Sequence, residues 1–400
     1  MAFSLSYQNV FEYLIDQGLC SPEEQAQSKV ELKYAKNFNA LMTLPGGRKF
    51  FVKQERHDSE GKTTSEFLHE WQIQEFSQRF PEVSHIRSWI SEAIHFDPNN
   101  SIIVFNYLND YHDLMDFYTE ENVLPRTLAQ QGAVASIATA IGATLASIHR
   151  LTLDRQDYRE FLFKSRQSVV INPALHLASQ LEQISPEIFG QVPGDGLKFF
   201  ALYQRYNSLG QAIAELTTIF EPCCLTHNDL RLNNILLSID WKLSSQAKIS
   251  TNSMVRLIDW ECSAWGDPTY DLGTLIASYL QLWLSSLITS KAIAIDESLR
   301  MATTPLECLQ PSIAAVAIAY FTHFPEILER CPNFLRRVMQ FSGLALIQQI
   351  LSMIQYQKTF GNLGICMLQV AKTLLCRPEQ SIVSVFGIDA SGLISTVLPL

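Results

Sequence analysis

The chain has 400 residues, of which 47% are apolar and 18% are charged, and its formal net charge is −10. This length predicts two lobes or domains, because a single hydrophobic core rarely grows beyond about 300 residues, and the composition excludes a disordered chain. The acid excess argues against nucleic-acid binding, which requires clustered lysine and arginine.

The eight cysteines contain no C-x-x-C pair and no cluster at zinc-finger spacing. Residues 1–8 lack the basic and apolar regions of a secretory signal, so we expect a cytoplasmic protein. The adjacent Cys223 and Cys224 lie in an apolar run and are predicted to be core residues rather than a redox pair.

Two uncharged runs, 272–290 and 338–357, are long enough to be considered as membrane spans. Both contain scattered glutamine and serine, which favours buried amphipathic helices, and we predict no membrane span. Glutamines mark what would be the wet side of the second helix, at Gln340, Gln348, Gln349, Gln355 and Gln357.

In chain order, a short amphipathic helix is predicted at 6–17, followed by alternating β-rich runs and a longer helix. The predicted strands are 30–34, 40–44, 49–54, 88–95 and 102–108, and the inserted helix is 63–79. The first 105 or so residues therefore predict a five-stranded antiparallel sheet with one helix.

The remainder is predicted to be mostly helical. Its clearest helix is 128–149, a surface loop is predicted at 185–196, and helical patterns continue from 272 to 376. The last stretch, 381–400, alternates apolar and small residues, a pattern that fits either an added strand or a segment covering a groove.

Polar residues follow short apolar runs at fixed offsets in the segment from Leu225 to Leu236. His227, Asp229 and Asn234 lie in this segment, and Asp259 follows the next apolar run. A carboxylate can orient a hydroxyl nucleophile and accept its proton, while Asn and Asp oxygens can bind magnesium. With Lys53 on the third strand as a contact for phosphate groups, these residues fit a phosphoryl-transfer site.

The motifs resemble those of the aminoglycoside phosphotransferase and choline kinase family, the small-molecule relatives of protein kinases. Members typically show H-G-D-x-x-x-x-N, then I-D-W-E or I-D-F-E, then G-D-P-x-x-D-L. This chain has H-N-D with Asn234, I-D-W-E at 258–261, G-D-P-T-Y-D-L at 266–272, and a helix ending in L-A-S-I-H at 145–149. The resemblance extends from Lys53 to Leu272.

The resemblance implies a role for each matched residue. Asp229 is implied as the catalytic base, with Asn234 and Asp259 as Mg²⁺ ligands. Lys53 and Glu70 would anchor the phosphates of ATP, with Glu66, one helical turn away, as the alternative partner for the lysine. Asp271 and His227 would support the catalytic loop, and the backbone from Asn106 to Leu108 would meet adenine.

The resemblance also implies an α+β, protein-kinase-like, two-lobed fold with a five-stranded antiparallel N-lobe sheet, one N-lobe helix and a mostly helical C-lobe. Residues 1–105 would form the nucleotide-binding lobe. Residues 106–400 would contain the catalytic loop (225–236), the metal-binding segment (256–261) and the substrate-covering helices (272–400).

The chain departs from the family pattern at three places. Asn228 replaces the usual glycine, and asparagine tolerates the left-handed backbone conformation better than most residues. The first hairpin, 35–39, contains no glycine, so a glycine-rich phosphate loop is not predicted. A polar insertion, 240–252, separates Asn234 from Asp259 and has no predicted role.

The resulting hypothesis is an ATP- and Mg²⁺-dependent phosphotransferase acting on a hydroxyl of a small molecule, such as an amino alcohol, a sugar or an antibiotic. Two alternatives stay open: a pseudokinase-like nucleotide-binding module, and a kinase of protein side chains. Residues 301–400 contain five acids and six bases, a balance that weakens the case for a polycationic aminoglycoside acceptor.

Overall fold

The computed structural model describes residues 3–33, 36–58, 61–119, 128–163, 172–182, 192–244, 253–288, 293 and 295–394. The predicted fold class is confirmed: an antiparallel five-stranded sheet occupies the N-terminal part, and the rest of the described chain is largely helical. The end of the nucleotide-binding lobe at residue 105 stays a prediction.

All five predicted N-terminal strands are present, although their ends differ by a few residues. They are β1 (Lys29–Lys33), β2 (Phe38–Thr43), β3 (Lys49–Gln54), β4 (Ala93–Asp97) and β5 (Ile102–Asn106). They lie in the order β1-β2-β3-β5-β4, and every pair is antiparallel. Strand β3 therefore lies at the centre of the sheet.

Side chains alternate between the two faces of the sheet. Val52 packs with helix α1 (Val10–Asp16) on one face, whereas Phe51 packs with helix α2 (Glu66–Arg79) on the other. Lys53 is the next residue after Val52, so its side chain lies on the α2 face. This alternation brings an apolar-flanked lysine into the cleft below α2.

Short strands pair with one another in the middle part of the chain. Strand β6 (Tyr111–Asp113) pairs with β8 (Ile235–Ser238), which pairs with β9 (Val255–Leu257), and β7 (Cys224–Thr226) pairs with β10 (Ala264–Gly266). The loops between these strands contain the predicted catalytic and metal-binding residues. Residues 245–252 of the polar insertion lie outside the described residues.

Helices form the remaining scaffold and the main hydrophobic core. They are α3 (Leu114–Thr119), α4 (Leu128–Thr152), α5 (Gln156–Phe163), α6 (Pro173–Glu182), α7 (Gly194–Gln204), α8 (Asn207–Ile219), α9 (Trp241–Ser244), α10 (Pro268–Ser285), α11 (Ile295–Arg300), α12 (Leu306–His323), α13 (Glu326–Arg330), α14 (Phe334–Ser352), α15 (Gly361–Cys376), α16 (Pro378–Phe386) and α17 (Ala390–Ile394). A π-helical turn, Met353–Gln357, extends α14.

Two predicted segments differ from the structure. A 3-10 helix (Pro81–Ser88) precedes β4, because Val83 and Ile86 are buried at a spacing of three residues rather than two. The stretch predicted as a possible strand at 381–400 is helical as far as residue 394. There Ile382, Val385 and Phe386 are buried at helical spacing.

The loop predicted at 185–196 ends earlier than expected, because α7 begins at Gly194. Residues 185–191 of that loop lie outside the described residues, as do residues 395–400 of the C-terminal segment.

The two uncharged runs form the largely buried helices α10 and α14. A different stretch of the described chain, Val134–Thr152, is long and apolar enough to cross a membrane, and 56% of it is buried inside the protein. All eight cysteines lie in the described residues and are free thiols. Cys223 and Cys224 are buried, so their predicted packing in the core is confirmed.

Candidate active site

Lys53 lies at the centre of a buried ion-pair network. Its side chain is 10% exposed, and its Nζ is 3.4 Å from Oε2 of Glu70 on α2 and bonds to Oδ1 of Asp259. Glu66, the alternative partner considered from the sequence, instead pairs with Lys36 at 3.0 Å. The structure thus brings Glu70, and not Glu66, to the lysine.

Burial and the neighbouring charges shift the pKa values of Lys53 and Asp259 in opposite directions. Burial alone would lower the pKa of Lys53, but the carboxylates of Asp259, Glu70 and Glu261 raise it overall. Burial also opposes ionisation of Asp259, yet Lys53 holds the pKa of that carboxyl below its ordinary value. Lys53 and Asp259 are therefore a charged pair that stays ionised inside the cleft.

Asp271 fixes the backbone of the catalytic loop from beneath. Its fully buried carboxylate accepts hydrogen bonds from the backbone N–H groups of His227 at 2.6 Å and Asn228 at 2.8 Å. His149, at the end of the L-A-S-I-H motif, places its Nε2 3.2 Å from the same carboxylate. The loop is thereby fixed to both α10 and α4.

Two further features hold the loop in shape. The ring Nε2 of His227 lies 2.8 Å from the carbonyl oxygen of Ile258, which ties the loop to the segment preceding Asp259. Asn228 has a φ of +63°, a left-handed conformation that asparagine tolerates better than most residues. The usual glycine is replaced by a residue that also adopts this conformation.

Asp229 projects from this loop with its carboxylate partly exposed. Arg231 donates to its Oδ2 at 2.7 Å, and Asn234 Nδ2 donates to the same atom at 3.0 Å and to the backbone oxygen of Asp229 at 2.8 Å. Both side-chain donors use Oδ2. Among the described residues no donor is bound to Oδ1, which can therefore accept a proton from an incoming group.

The carboxylates around Asp259 fit a divalent cation. Oxygen atoms of Glu70, Asp259 and Glu261 all lie within 4.8 Å of one another. Oε1 of Glu70 is buried without a hydrogen-bond partner in the described structure, so one hard oxygen is available. Asn234 is joined to this segment by a backbone hydrogen bond of 2.9 Å from Ile258 N to its carbonyl oxygen.

Glu261 is a feature of the site that the sequence analysis missed, although it is the last residue of the quoted I-D-W-E motif. Burial, reinforced by the neighbouring Asp259, raises its pKa to about 8. Asp259 itself has a left-handed backbone, with a φ of +69°, and begins the short 3-10 helix that contains Glu261. The sequence offers no signal of this local backbone conformation.

Two cavities open on this group of residues. One, of about 370 Å³, is lined by Lys53, Glu70 and Asp259 together with Asn106 and Leu108, the residues predicted to meet adenine.

The second cavity, of about 380 Å³, is lined by Asp229 and Arg231 and by side chains of α10 and α14. The sequence analysis did not predict this second cavity, nor the contact of Arg231 with Asp229.

Comparisons with known proteins agree with the motifs. The profile of a family described as the phosphotransferase enzyme family matches residues 102–294. A 4-hydroxytryptamine kinase from Psilocybe cyanescens is 24% identical over 190 residues, which are 48% of this chain and 46% of that protein. The match thus spans about half the length of this curated relative.

A solved structure shows the same architecture. An ethanolamine kinase from Plasmodium vivax superimposes with a TM-score of 0.54 at 15% identity, over 93% of this chain and 89% of that one. A choline/ethanolamine kinase family protein from Mesorhizobium loti covers 90% of this chain and 93% of its own, at 14% identity and a TM-score of 0.45. The resemblance predicted from the motifs is confirmed: residues 102–294 match the phosphotransferase enzyme family, in a chain with a kinase-like fold.

Proposed function

We propose that this protein transfers the γ-phosphate of ATP to a hydroxyl of a small molecule in a Mg²⁺-dependent reaction. The observation that carries the proposal is the position of Asp229 and Asp259. Asp259 lines one cavity together with Lys53, Asp229 lines the other, and both belong to the loops that His227 and Asp271 hold together. This geometry fits a donor on one side and an acceptor on the other.

On the donor side, Lys53 would contact the α- and β-phosphates while Glu70 keeps its ammonium group in place. The backbone from 106 to 108 lines the same cavity and is suited to contact adenine. Asp259 and Glu261 belong to the carboxylate group that fits a divalent cation, and together with Asn234 they would hold Mg²⁺, which neutralises charge on the phosphate oxygens when bound.

On the acceptor side, Asp229 would orient the attacking hydroxyl and accept its proton on Oδ1. Arg231 and Asn234 hold Oδ2, so the carboxylate has a fixed direction before the acceptor arrives. In a loose transition state the protein contributes mainly positioning and electrostatic stabilisation, and this arrangement supplies both.

A second candidate is a nucleotide-binding module without turnover. One observation favours it: Lys53 bonds directly to Asp259, so the anchoring lysine occupies a carboxylate that a metal ion would need. In the proposed enzyme this contact would have to open for Asp259 to hold Mg²⁺.

ATP consumption distinguishes the two candidates. We would measure ADP release with Mg²⁺ and with excess EDTA over a panel of amino alcohols, sugars, aminoglycosides and macrolides, and nucleotide binding in parallel. The enzyme hypothesis predicts acceptor-dependent ADP release that EDTA abolishes. Nucleotide binding without turnover on any panel member would favour the second candidate.

A further inference from the structure

The cavity beside Asp229 is lined mainly by uncharged polar side chains. Helix α10 contributes Tyr270, Thr274 and Ser278, and helix α14 contributes Gln348 and Gln349. The α10 positions recur every four residues, so this helix turns one polar face toward the cavity, and α14 adds two adjacent glutamines. Of the glutamines predicted on the wet side of the α14 helix, Gln348 and Gln349 are half-buried and line this cavity, and the exposed Gln355 lines its edge. Gln340 is fully buried, so its predicted exposure is wrong.

The negative charge of the carboxylate that lines this cavity is neutralised by an arginine. Among the described lining residues, Asp229 is the one acid, and it pairs with Arg231 at 2.7 Å. A bound cation would therefore meet no unpaired carboxylate among these residues.

The glutamine side chains are prepared to bind hydroxyl groups. Tyr270 donates to Oε1 of Gln348 at 2.9 Å, which fixes the orientation of this amide and directs its NH₂ group away from that contact. Gln281, Gln349 and Gln355 add further amides to the lining. An amide both donates and accepts hydrogen bonds, and so does a hydroxyl group, whereas an ammonium group can only donate.

We propose that the acceptor is a neutral, polyhydroxylated small molecule of the sugar or polyol class. This inference rests on the proposed phosphotransferase function and narrows its substrate class. A quaternary ammonium acceptor would need a cage of Phe, Tyr or Trp rings, but Tyr270 is the single residue of these three types among the described lining residues. The cavity volume, about 380 Å³, lies at the lower end of the range for small-molecule sites.

A panel of matched compounds tests the proposal. Hexoses, pentoses and cyclitols would each be assayed beside an analogue in which an amine replaces one hydroxyl and an analogue in which a carboxylate does, with choline and ethanolamine added. We would measure kcat/KM for transfer of label from γ-labelled ATP. The neutral member of a series is expected to exceed both charged members by roughly tenfold or more, the effect of one unsatisfied buried polar group.

The outcomes separate this inference from the proposed function. Preference for the amine or the carboxylate members, or transfer to choline or ethanolamine alone, would overturn the inference and leave the phosphotransferase assignment intact. Transfer to no compound, by a protein that binds MgATP, would count against the phosphotransferase assignment itself and overturn the inference with it.

Substitution of Gln348 provides a second test. Gln348→Glu retains an oxygen that accepts the Tyr270 hydrogen bond but adds a negative charge to the cavity. We expect kcat/KM for the neutral acceptor to fall by roughly 3- to 10-fold, the value of one lost hydrogen bond. Relative activity on the matched amine is expected to rise.

Gln357→Glu is the matched control, because Gln357 is exposed and is not among the residues lining the cavity. The Gln357→Glu variant should change neither kcat/KM for the neutral acceptor nor the relative activity on the amine. Gln349→Glu provides a second substitution within the cavity. Equal kcat/KM values for the neutral acceptor in the Gln348→Glu, Gln349→Glu and Gln357→Glu variants would contradict the assignment of this cavity to the acceptor.

Discussion

Single residues determine the electrostatics of the candidate site, and the partner of Lys53 shows how. From the sequence, Glu66 and Glu70 were both possible partners, because one helical turn separates them. In the structure Glu66 pairs with the partly exposed Lys36, while Glu70 reaches Lys53 from a buried position. The alternation of β3 and the start of α2 at Glu66 together select the second glutamate.

Replacing these two glutamates separately tests this assignment. Glu70→Gln removes the carboxylate that holds Lys53 and is expected to lower kcat/KM for ATP by roughly 10- to 100-fold, the effect of misplacing a positioning group. Glu66→Gln removes a partly exposed charge in the same helix and should leave this value unchanged. Steady-state kinetics at saturating acceptor would measure both, and an equal loss in the two variants would contradict the assignment.

The sequence identified most of the charged residues of the site, but not Glu261 and not the hydrogen bonds. Asp229 and Asp259 follow short strands, and Asn234 and Asp271 lie in recognisable motifs, so the convergence of these four residues could be predicted. The contact between Lys53 and Asp259 and the role of His149 beneath the loop depend on residues far apart in the chain. No local pattern indicates such pairs.

At the scale of elements, the helix pair α4 and α12 shows what helical periodicity can and cannot predict. The alanine-rich pattern predicted α4 with nearly correct ends. It did not show that Gly142 lies against the backbone of α12, where an added Cβ would fall 2.2 Å from the carbonyl oxygen of Val316. Close approach of two backbones is a property of the pair and not of either sequence segment.

Replacement by alanine is expected to change stability in opposite directions at two glycines of α4. Gly142→Ala should lower the free energy of unfolding by about 1–3 kcal/mol, because the helices must separate to admit a methyl group. Gly132→Ala places its methyl group in open space and should raise stability by about 0.5–1 kcal/mol through helix propensity.

Urea unfolding of both variants and the parent chain would measure these changes. Stabilisation by both substitutions would show that α4 and α12 are farther apart than described.

At the scale of the whole molecule, the two cavities differ in how well the sequence predicts them. The donor side is formed by residues that recur in the quoted motifs, and its location follows from the order of strands and helix. The proposed acceptor cavity combines α6, the catalytic loop, α10, α14 and a π-helical turn, and its lining extends from residue 176 to residue 355. The sequence pattern alone places the glutamines of this cavity on a solvated helix face, because the pattern does not show that α14 packs against α10.

The arrangement of the lobes also explains why the site needs both halves of the chain. Lys53 comes from the central strand of the N-terminal sheet, whereas Asp259 follows a strand of the C-terminal part, and their ion pair joins the two. Either half alone would leave buried charges without partners, at a cost of several kcal/mol. We therefore expect nucleotide binding to depend on the intact chain.

The central claim is that Asp229 accepts the proton of an acceptor hydroxyl while ATP is held on the opposite side of the catalytic loop. Its most direct test is the rate of γ-phosphate transfer by Asp229→Asn compared with the parent enzyme, together with the affinity of each for MgATP. We predict a fall in turnover of roughly 10²- to 10⁴-fold, the usual contribution of a positioned base, with nucleotide affinity nearly unchanged. Full activity in this variant would contradict the mechanism.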